Sequence, residues 1–153
     1  MAESSFKLND KTILIYGPIH PIVHSLAGRF IEEGSDVALI DPTANESSRF
    51  INNLMDMRQI HPHYGRSAAL EFHITDREVA KEAISRAAEL FGSVDVFIDV
   101  SLGARDFTDN TEPTKLFTEE VLHFFQGRRK GRIIYLTYSN DLLRVTNDKK
   151  SIK

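Results

Sequence analysis

Five short apolar runs that alternate with amphipathic stretches constrain this sequence more than any other feature. The runs have the composition of buried strands, and the stretches between them repeat their apolar residues at helical spacing. Strands that alternate with helices predict an α/β fold whose mostly parallel sheet is covered on both faces. The predicted strands are Lys11–Tyr16, Val37–Asp41, Ala68–Ile74, Asp95–Val100 and Arg132–Tyr138, and the predicted helices are Ile22–Glu33, Asn45–Met57, Asp76–Leu90 and Leu116–Gln126.

Size and composition indicate one globular domain. The chain has 153 residues, 41% hydrophobic and 27% charged, and no apolar run approaches the roughly 20 residues of a membrane helix. A formal charge of −3 predicts no general attraction to nucleic acid or to a membrane surface. The absence of cysteine excludes disulfides and thiolate chemistry. We expect a single cytoplasmic domain over 1–153, with its core at about 8–139 and tails at 1–7 and 141–153.

The turn between the first strand and the first helix reads Tyr16-Gly17-Pro18-Ile19-His20-Pro21-Ile22-Val23. Turns in this position bind nucleotide pyrophosphates through backbone N–H groups, and glycines let the backbone approach the ligand. This turn has one glycine, two prolines that cannot donate an N–H, and a branched valine. We therefore favour a structural role for Gly17 over phosphate binding.

Several segments together resemble the short-chain dehydrogenase/reductase family, over roughly residues 8–139. The resemblance implies a three-layer, Rossmann-like, doubly wound sheet of about five strands that binds NAD(P). The segments that carry it are Leu8–Ile15, Phe30–Val37, Phe91–Ile98 and Gly131–Ile134.

The resemblance also implies where a cofactor would bind. The candidate residues are Gly17, Ile19, Asp41 and Ile74, with NAD(H) as the cofactor. Asp41 ends the second strand 24 positions after Gly17, near the spacing at which a carboxylate binds the adenosine ribose. An aspartate before Pro42 and Thr43 equally suits a helix cap, and both interpretations stay open.

The departures from the family pattern fall on the residues that carry its chemistry. One of the three loop glycines remains, and His73 takes the place of the acidic residue that faces adenine. The family's Asn-Asn-Ala-Gly turn reads Asp99-Val100-Ser101-Leu102. The catalytic serine aligns with Tyr138, beside Ser139, and the Tyr-x-x-x-Lys pair is absent, so we identify no catalytic residue. The sequence ends at Lys153, before a sixth strand could form.

These departures predict a non-catalytic domain, a pseudoenzyme, that acts by binding a partner, itself or a ligand. The first alternative is an NAD(P)-dependent oxidoreductase, minimal or completed by another polypeptide. The second is a nucleotide-sensing regulator without hydride transfer.

The remaining candidate features favour structural roles. His20 with His24 and His61 with His63 lack a nearby third ligand, so we expect no metal site. Asp95 and Asp99 share a strand face but not the same strand end, and the basic turn Arg128–Arg132 suits a solvated surface. The phenylalanine-rich helix Leu116–Gln126 is either core or a homodimer contact, and the last strand is a candidate open edge.

Overall fold

The computed structural model describes residues 8–17, 21–41, 44–103 and 112–137. Five parallel strands form one sheet in the order β3-β2-β1-β4-β5, and four helices connect them. The predicted α/β, doubly wound architecture is confirmed. The elements are β1 Thr12–Tyr16, α1 Pro21–Glu32, β2 Asp36–Ile40, α2 Ala44–Ile60, β3 Ser67–Leu70, α3 Arg77–Phe91, β4 Val96–Gly103, α4 Glu112–Arg128 and β5 Arg132–Thr137.

The middle of the sheet is the point where the strand order reverses. From β1 the chain adds β2 and β3 on one side, and then crosses to add β4 and β5 on the other. Tyr16, the last residue of β1, lies opposite both Ile40 of β2 and Asp99 of β4. The carboxyl ends of these three strands therefore meet, which is where open α/β sheets bind ligands.

Both faces of the sheet are buried, and successive residues of each strand alternate between them. Leu14 and Tyr16 belong to the core under α3 and α4, whereas Ile13 and Ile15 belong to the core under α1 and α2. This double burial explains why the strands are continuously apolar in sequence.

Helix α3, predicted over Asp76–Leu90, extends from Arg77 to Phe91 and is capped at both ends. Asp76 is its N-cap, since its Oδ1 accepts a hydrogen bond of 3.0 Å from the Val79 N–H. Gly92 ends the helix in the left-handed conformation at φ 85°, and its N–H donates to the Ala88 carbonyl at 2.7 Å. Both ends therefore have partners for backbone groups that helix termini leave unbonded.

Asp76→Ala should lower the free energy of unfolding by about 1 kcal/mol, because it removes the acceptor for one N–H of the first turn. Asp76→Asn keeps a side-chain oxygen at the cap and should retain most of that stability. Urea denaturation of the two variants checks this, and equal losses would contradict the capping role.

Four element boundaries differ from the sequence predictions by three or four residues. One is the end of α2, which lies at Ile60 rather than Met57. β3 ends at Leu70 rather than Ile74, because Leu70 pairs with Ile40, the last residue of β2. The predicted polar connection from Ser101 to Thr114 is wrong at both ends. Its first residues continue β4 as far as Gly103, with an irregular register after Asp99, and its last ones begin α4.

β5 lies at one edge of the sheet. Within the part of the chain that the structure describes, β5 pairs only with β4, as the predicted open edge requires. Ile134 and Tyr135 are 44% and 48% exposed on this strand. Tyr138 and Ser139 lie outside the described residues.

No helix among the described ranges is both long and apolar enough to cross a membrane.

Candidate functional site

Gly17 is positioned by β1, which it directly follows. Its φ of 140° lies in the region that favours glycine, so the backbone itself requires glycine here. Its N–H donates to the Ile40 carbonyl at 3.2 Å and is thereby used within the fold. This geometry agrees with the structural interpretation of Gly17.

Asp41 occupies the neighbouring strand end. It directly follows β2, and its backbone N–H donates to the Leu70 carbonyl at 3.1 Å. The residue is only 2% exposed. Gly17 and Asp41 are thus brought together at the carboxyl edge, with the Asp41 carboxylate buried, and ribose binding by Asp41 stays a prediction.

Val23 stands where the family pattern has its third glycine. It is 1% exposed and belongs to the same core as Ile13 and Ile15 of β1. Helix α1 begins at Pro21, which has no N–H to donate. The first turn of α1 therefore presents a packed branched side chain and a missing donor where a dinucleotide fold presents glycine and N–H groups.

Aromatic rings pack at the carboxyl end of β1, on the face of the sheet covered by α3 and α4. The Tyr16 ring stacks on Phe117 of α4, with ring centroids 4.9 Å apart and planes 9° apart. Phe117 in turn stacks on Phe97 of β4 at 5.1 Å. Asp99 is fully buried and lies in register between Tyr16 and Tyr135. The end of β1 on this face is therefore packed core.

The other predicted cofactor residues are not gathered at the edge in the same way. Ile74 is 4% exposed and belongs to the core under α3 and α4, whereas the adjacent His73 is exposed. Ile19 lies outside the described residues. Of the four candidates, the structure brings together Gly17 and Asp41.

The two aspartates of β4 lie apart. Asp95 precedes the strand, and its Oδ2 accepts hydrogen bonds from the Thr12 N–H at 2.9 Å and the Ser93 hydroxyl at 3.0 Å. Asp99 lies four residues further, about 13 Å along an extended strand. Asp95 therefore joins the starts of β1 and β4, which agrees with the prediction that the two carboxylates do not act together.

The histidines and the basic turn have local packing partners. His61 stacks on Tyr64 with ring centroids 4.7 Å apart, and His63 meets the same ring edge-on at 4.9 Å. Arg128 donates to the Val94 carbonyl at 2.9 Å and lies over the Phe124 ring. In the described ranges, no group of three or more His, Cys, Asp or Glu side chains could hold a metal ion.

Comparison with solved structures identifies the fold. A short-chain dehydrogenase from Mycobacterium smegmatis is 23% identical with a TM-score of 0.69, and the alignment covers 84% of this chain and 58% of that one. NAD+-bound xylitol dehydrogenase is 18% identical with a TM-score of 0.69, and the alignment covers 85% of this chain and 54% of that one. A short-chain dehydrogenase from Mycobacterium thermoresistibile is 18% identical with a TM-score of 0.65, and the alignment covers 84% of this chain and 51% of that one. The chain has the fold of the short-chain dehydrogenases.

The chain spans between 51% and 58% of the length of these three proteins. No protein-family model matches the sequence, and comparison with curated proteins likewise gives no match. The predicted resemblance is thus confirmed as a likeness of fold.

Proposed function

We propose that this chain is a non-catalytic domain with the short-chain dehydrogenase fold, which acts by binding rather than by hydride transfer. The observation that carries the proposal is the burial of Val23 at the start of α1, where it is 1% exposed and part of the core. In the family pattern Val23 stands at the third glycine, which lets the helix pack closely on the strand, and its branched side chain fills that contact. Pro21 stands at the second glycine, where the backbone approaches the pyrophosphate, and it has no N–H to donate.

The neighbouring strand ends support the same proposal. The Gly17 N–H is already bonded to the Ile40 carbonyl, and Asp99, which is fully buried, stands where the family pattern begins its Asn-Asn-Ala-Gly turn. No Tyr-x-x-x-Lys sequence occurs within residues 8–153. The features that bind the cofactor in the family are therefore replaced at this edge of the sheet.

The purified chain should show no change in melting temperature with NAD+, NADH, NADP+ or NADPH at millimolar concentration, and no turnover of alcohols or carbonyl compounds. A specific ligand at 100 times its Kd would stabilise the fold by about 2.7 kcal/mol, which such a measurement detects. An NAD-dependent dehydrogenase in the same buffer serves as the positive control. Nucleotide-dependent turnover would contradict the proposal.

The second candidate function is dinucleotide binding, either as a nucleotide-sensing regulator or as an NAD(P)-dependent oxidoreductase completed by another polypeptide. It is favoured by the position of Asp41, which follows β2 beside Gly17, and by the NAD+-bound structural neighbour. Stabilisation by NAD+ that Asp41→Ala abolishes would support this candidate, and turnover would separate the enzyme from the regulator.

Self-association through α4 has less support. Phe117, Val121 and Phe125 of this helix are buried within the chain's own core, whereas Leu122 is 45% exposed. Most of the apolar side chains that predicted a homodimer contact therefore stabilise the monomer fold.

A further inference from the structure

A cleft lies at the edge of the sheet formed by β3, away from the site at the carboxyl ends of β1, β2 and β4. It has a volume of about 540 Å³, within the range of ligand sites. Side chains of α2 and α3 form its two walls, and the chain that enters β3 forms its floor. The residues that line it are Met55, Arg58, Gln59, Pro62, Arg66, Ser67, Leu90 and Phe91.

Arg66 is held rigidly in this cleft. Its Nε and Nη2 donate to the two carboxylate oxygens of Asp36 at 3.3 and 2.7 Å, and its backbone N–H donates to Asp36 Oδ1 at 2.7 Å. The hydrogen bond with Asp36 raises the pKa of the Arg66 guanidinium above its usual value. The guanidinium carbon also lies 5.2 Å from the centre of the Phe91 ring. The Arg66 guanidinium is therefore held in a fixed orientation, and its Nη1 makes no hydrogen bond to Asp36.

Arg58 is oriented by a single backbone contact. Its Nε donates an exposed hydrogen bond of 3.1 Å to the Tyr64 carbonyl, which holds the guanidinium beside the 61–66 loop. Within the ranges that the structure describes, the Arg58 Nη atoms have no hydrogen bond or ion pair. An incoming carboxylate would find donors that have already lost much of their conformational freedom.

The walls of the cleft are apolar and open to solvent. Met55 of α2 is 52% exposed and Leu90 of α3 is 44% exposed, one on each side of β3. Apolar surface beside fixed guanidinium groups suits a ligand that combines apolar and acidic groups.

β3 offers a backbone edge between these walls. The carbonyls of Arg66 and Leu70 accept hydrogen bonds from Val37 and Asp41, at 2.9 and 3.1 Å on the β2 side. Because backbone groups alternate sides along a strand, the N–H and C=O groups of Ser67 and Ala69 point away from β2. Among the described residues no strand pairs with that side of β3.

We propose that this edge binds an extended segment of a partner protein that alternates acidic and apolar residues and adds to the sheet beside β3. Backbone hydrogen bonds to Ser67 and Ala69 supply affinity, and alternate side chains reach the two walls. Arg58 and Arg66 select acidic residues by charge complementarity. Because the chain as a whole carries a charge of −3, this attraction is local to the cleft. This proposal specifies a partner for the binding function proposed above, and it depends on that function only in this respect.

The probe is a fluorescein-labelled heptapeptide of alternating glutamate and valine, titrated with the full chain and followed by fluorescence anisotropy. We expect saturable binding that Arg58→Glu weakens by about tenfold or more. Arg86→Glu is the matched control, because Arg86 is an exposed arginine of α3 that does not line the cleft. It should bind the peptide like the unaltered chain.

A second probe tests strand addition without altering the protein. The same heptapeptide with alternate backbone nitrogens methylated keeps its side chains but loses half of its donors, so its binding should fall by about tenfold or more. Absence of saturable binding at millimolar heptapeptide, equal binding of the methylated peptide, or equal effects of Arg58→Glu and Arg86→Glu would each overturn the proposal. None of these readouts involves a nucleotide, so they are independent of the test for turnover.

Discussion

Phe117→Ala should lower the free energy of unfolding by about 3–5 kcal/mol, as expected for a large aromatic side chain removed from a packed core. Phe117 is fully buried, and its ring lies between those of Tyr16 and Phe97, at 4.9 and 5.1 Å. Alanine would leave a cavity bordered by both rings and would remove two stacking contacts. Because Phe117 joins α4 to β1 and β4, the loss falls on the middle of the sheet.

Leu122→Ala is the matched control for Phe117→Ala on the same helix. Leu122 is 45% exposed, so its truncation should change stability by no more than about 0.5 kcal/mol. Urea denaturation followed by circular dichroism measures both variants. A loss at Phe117 as small as that at Leu122 would show that the aromatic stack does not contribute to the core.

Gly65→Ala should lower the free energy of unfolding by about 3 kcal/mol, at the upper end of the usual cost of overpacking. A Cβ at Gly65 would overlap the carbonyl oxygen of Ser35. Neither segment can yield easily, because the Gly65 N–H donates to the Ile31 carbonyl at 2.8 Å and the Ser35 hydroxyl donates to the Leu8 carbonyl at 2.6 Å. The clash is therefore between two backbone segments fixed by their own hydrogen bonds.

Gly28→Ala provides the opposite expectation for the same chemical change. Gly28 lies within α1, and an added Cβ there meets nothing within 4 Å. Alanine should raise stability by about 0.5–1 kcal/mol, since glycine is a poor helix former. Thermal and urea unfolding of both variants check the contrast, and losses of equal size at the two sites would refute it.

The kinds of element were predictable because the runs that form β1, β2 and β4 are buried on both faces of the sheet. The length of β3 was not predictable from the sequence, because β3 can pair only as far as its neighbour β2 extends. β2 stops at Ile40, so Phe72 and Ile74 pack against the core without being in a strand. Apolar character alone does not distinguish a residue that is paired from one that is only buried.

α4 buries a charged side chain that its apolar pattern does not indicate, and the reason is electrostatic. Arg77 of α3 binds Glu120 at 3.1 Å and Glu119 at 2.6 Å on α4. The hydrogen bonds that Arg77 donates to Glu120 and then to Glu119 raise the pKa of its guanidinium. Glu120 is accordingly buried at 6% exposure, which no local sequence pattern predicts for a glutamate.

The two sites differ in how far the sequence could reveal them. The carboxyl edge was predictable because Gly17 and Asp41 end successive strands and carry family-like spacing. The cleft at β3 was missed because Arg58 lies in the last turn of α2, Arg66 directly precedes β3, and Leu90 lies in the last turn of α3. Only the packing of α2 and α3 around the sheet edge brings these residues together, and none has a distinctive local pattern.

The central place of β1 determines when the molecule can become complete during synthesis. β1 is made first, yet one of its two neighbours is β4, and the Thr12 N–H bonds to Asp95, 83 residues later in the chain. A nascent chain with only β1, β2 and β3 therefore exposes the inner edge of its own sheet. That edge stays open to pairing with other chains until β4 is made, and not only until the first β-α-β unit has closed.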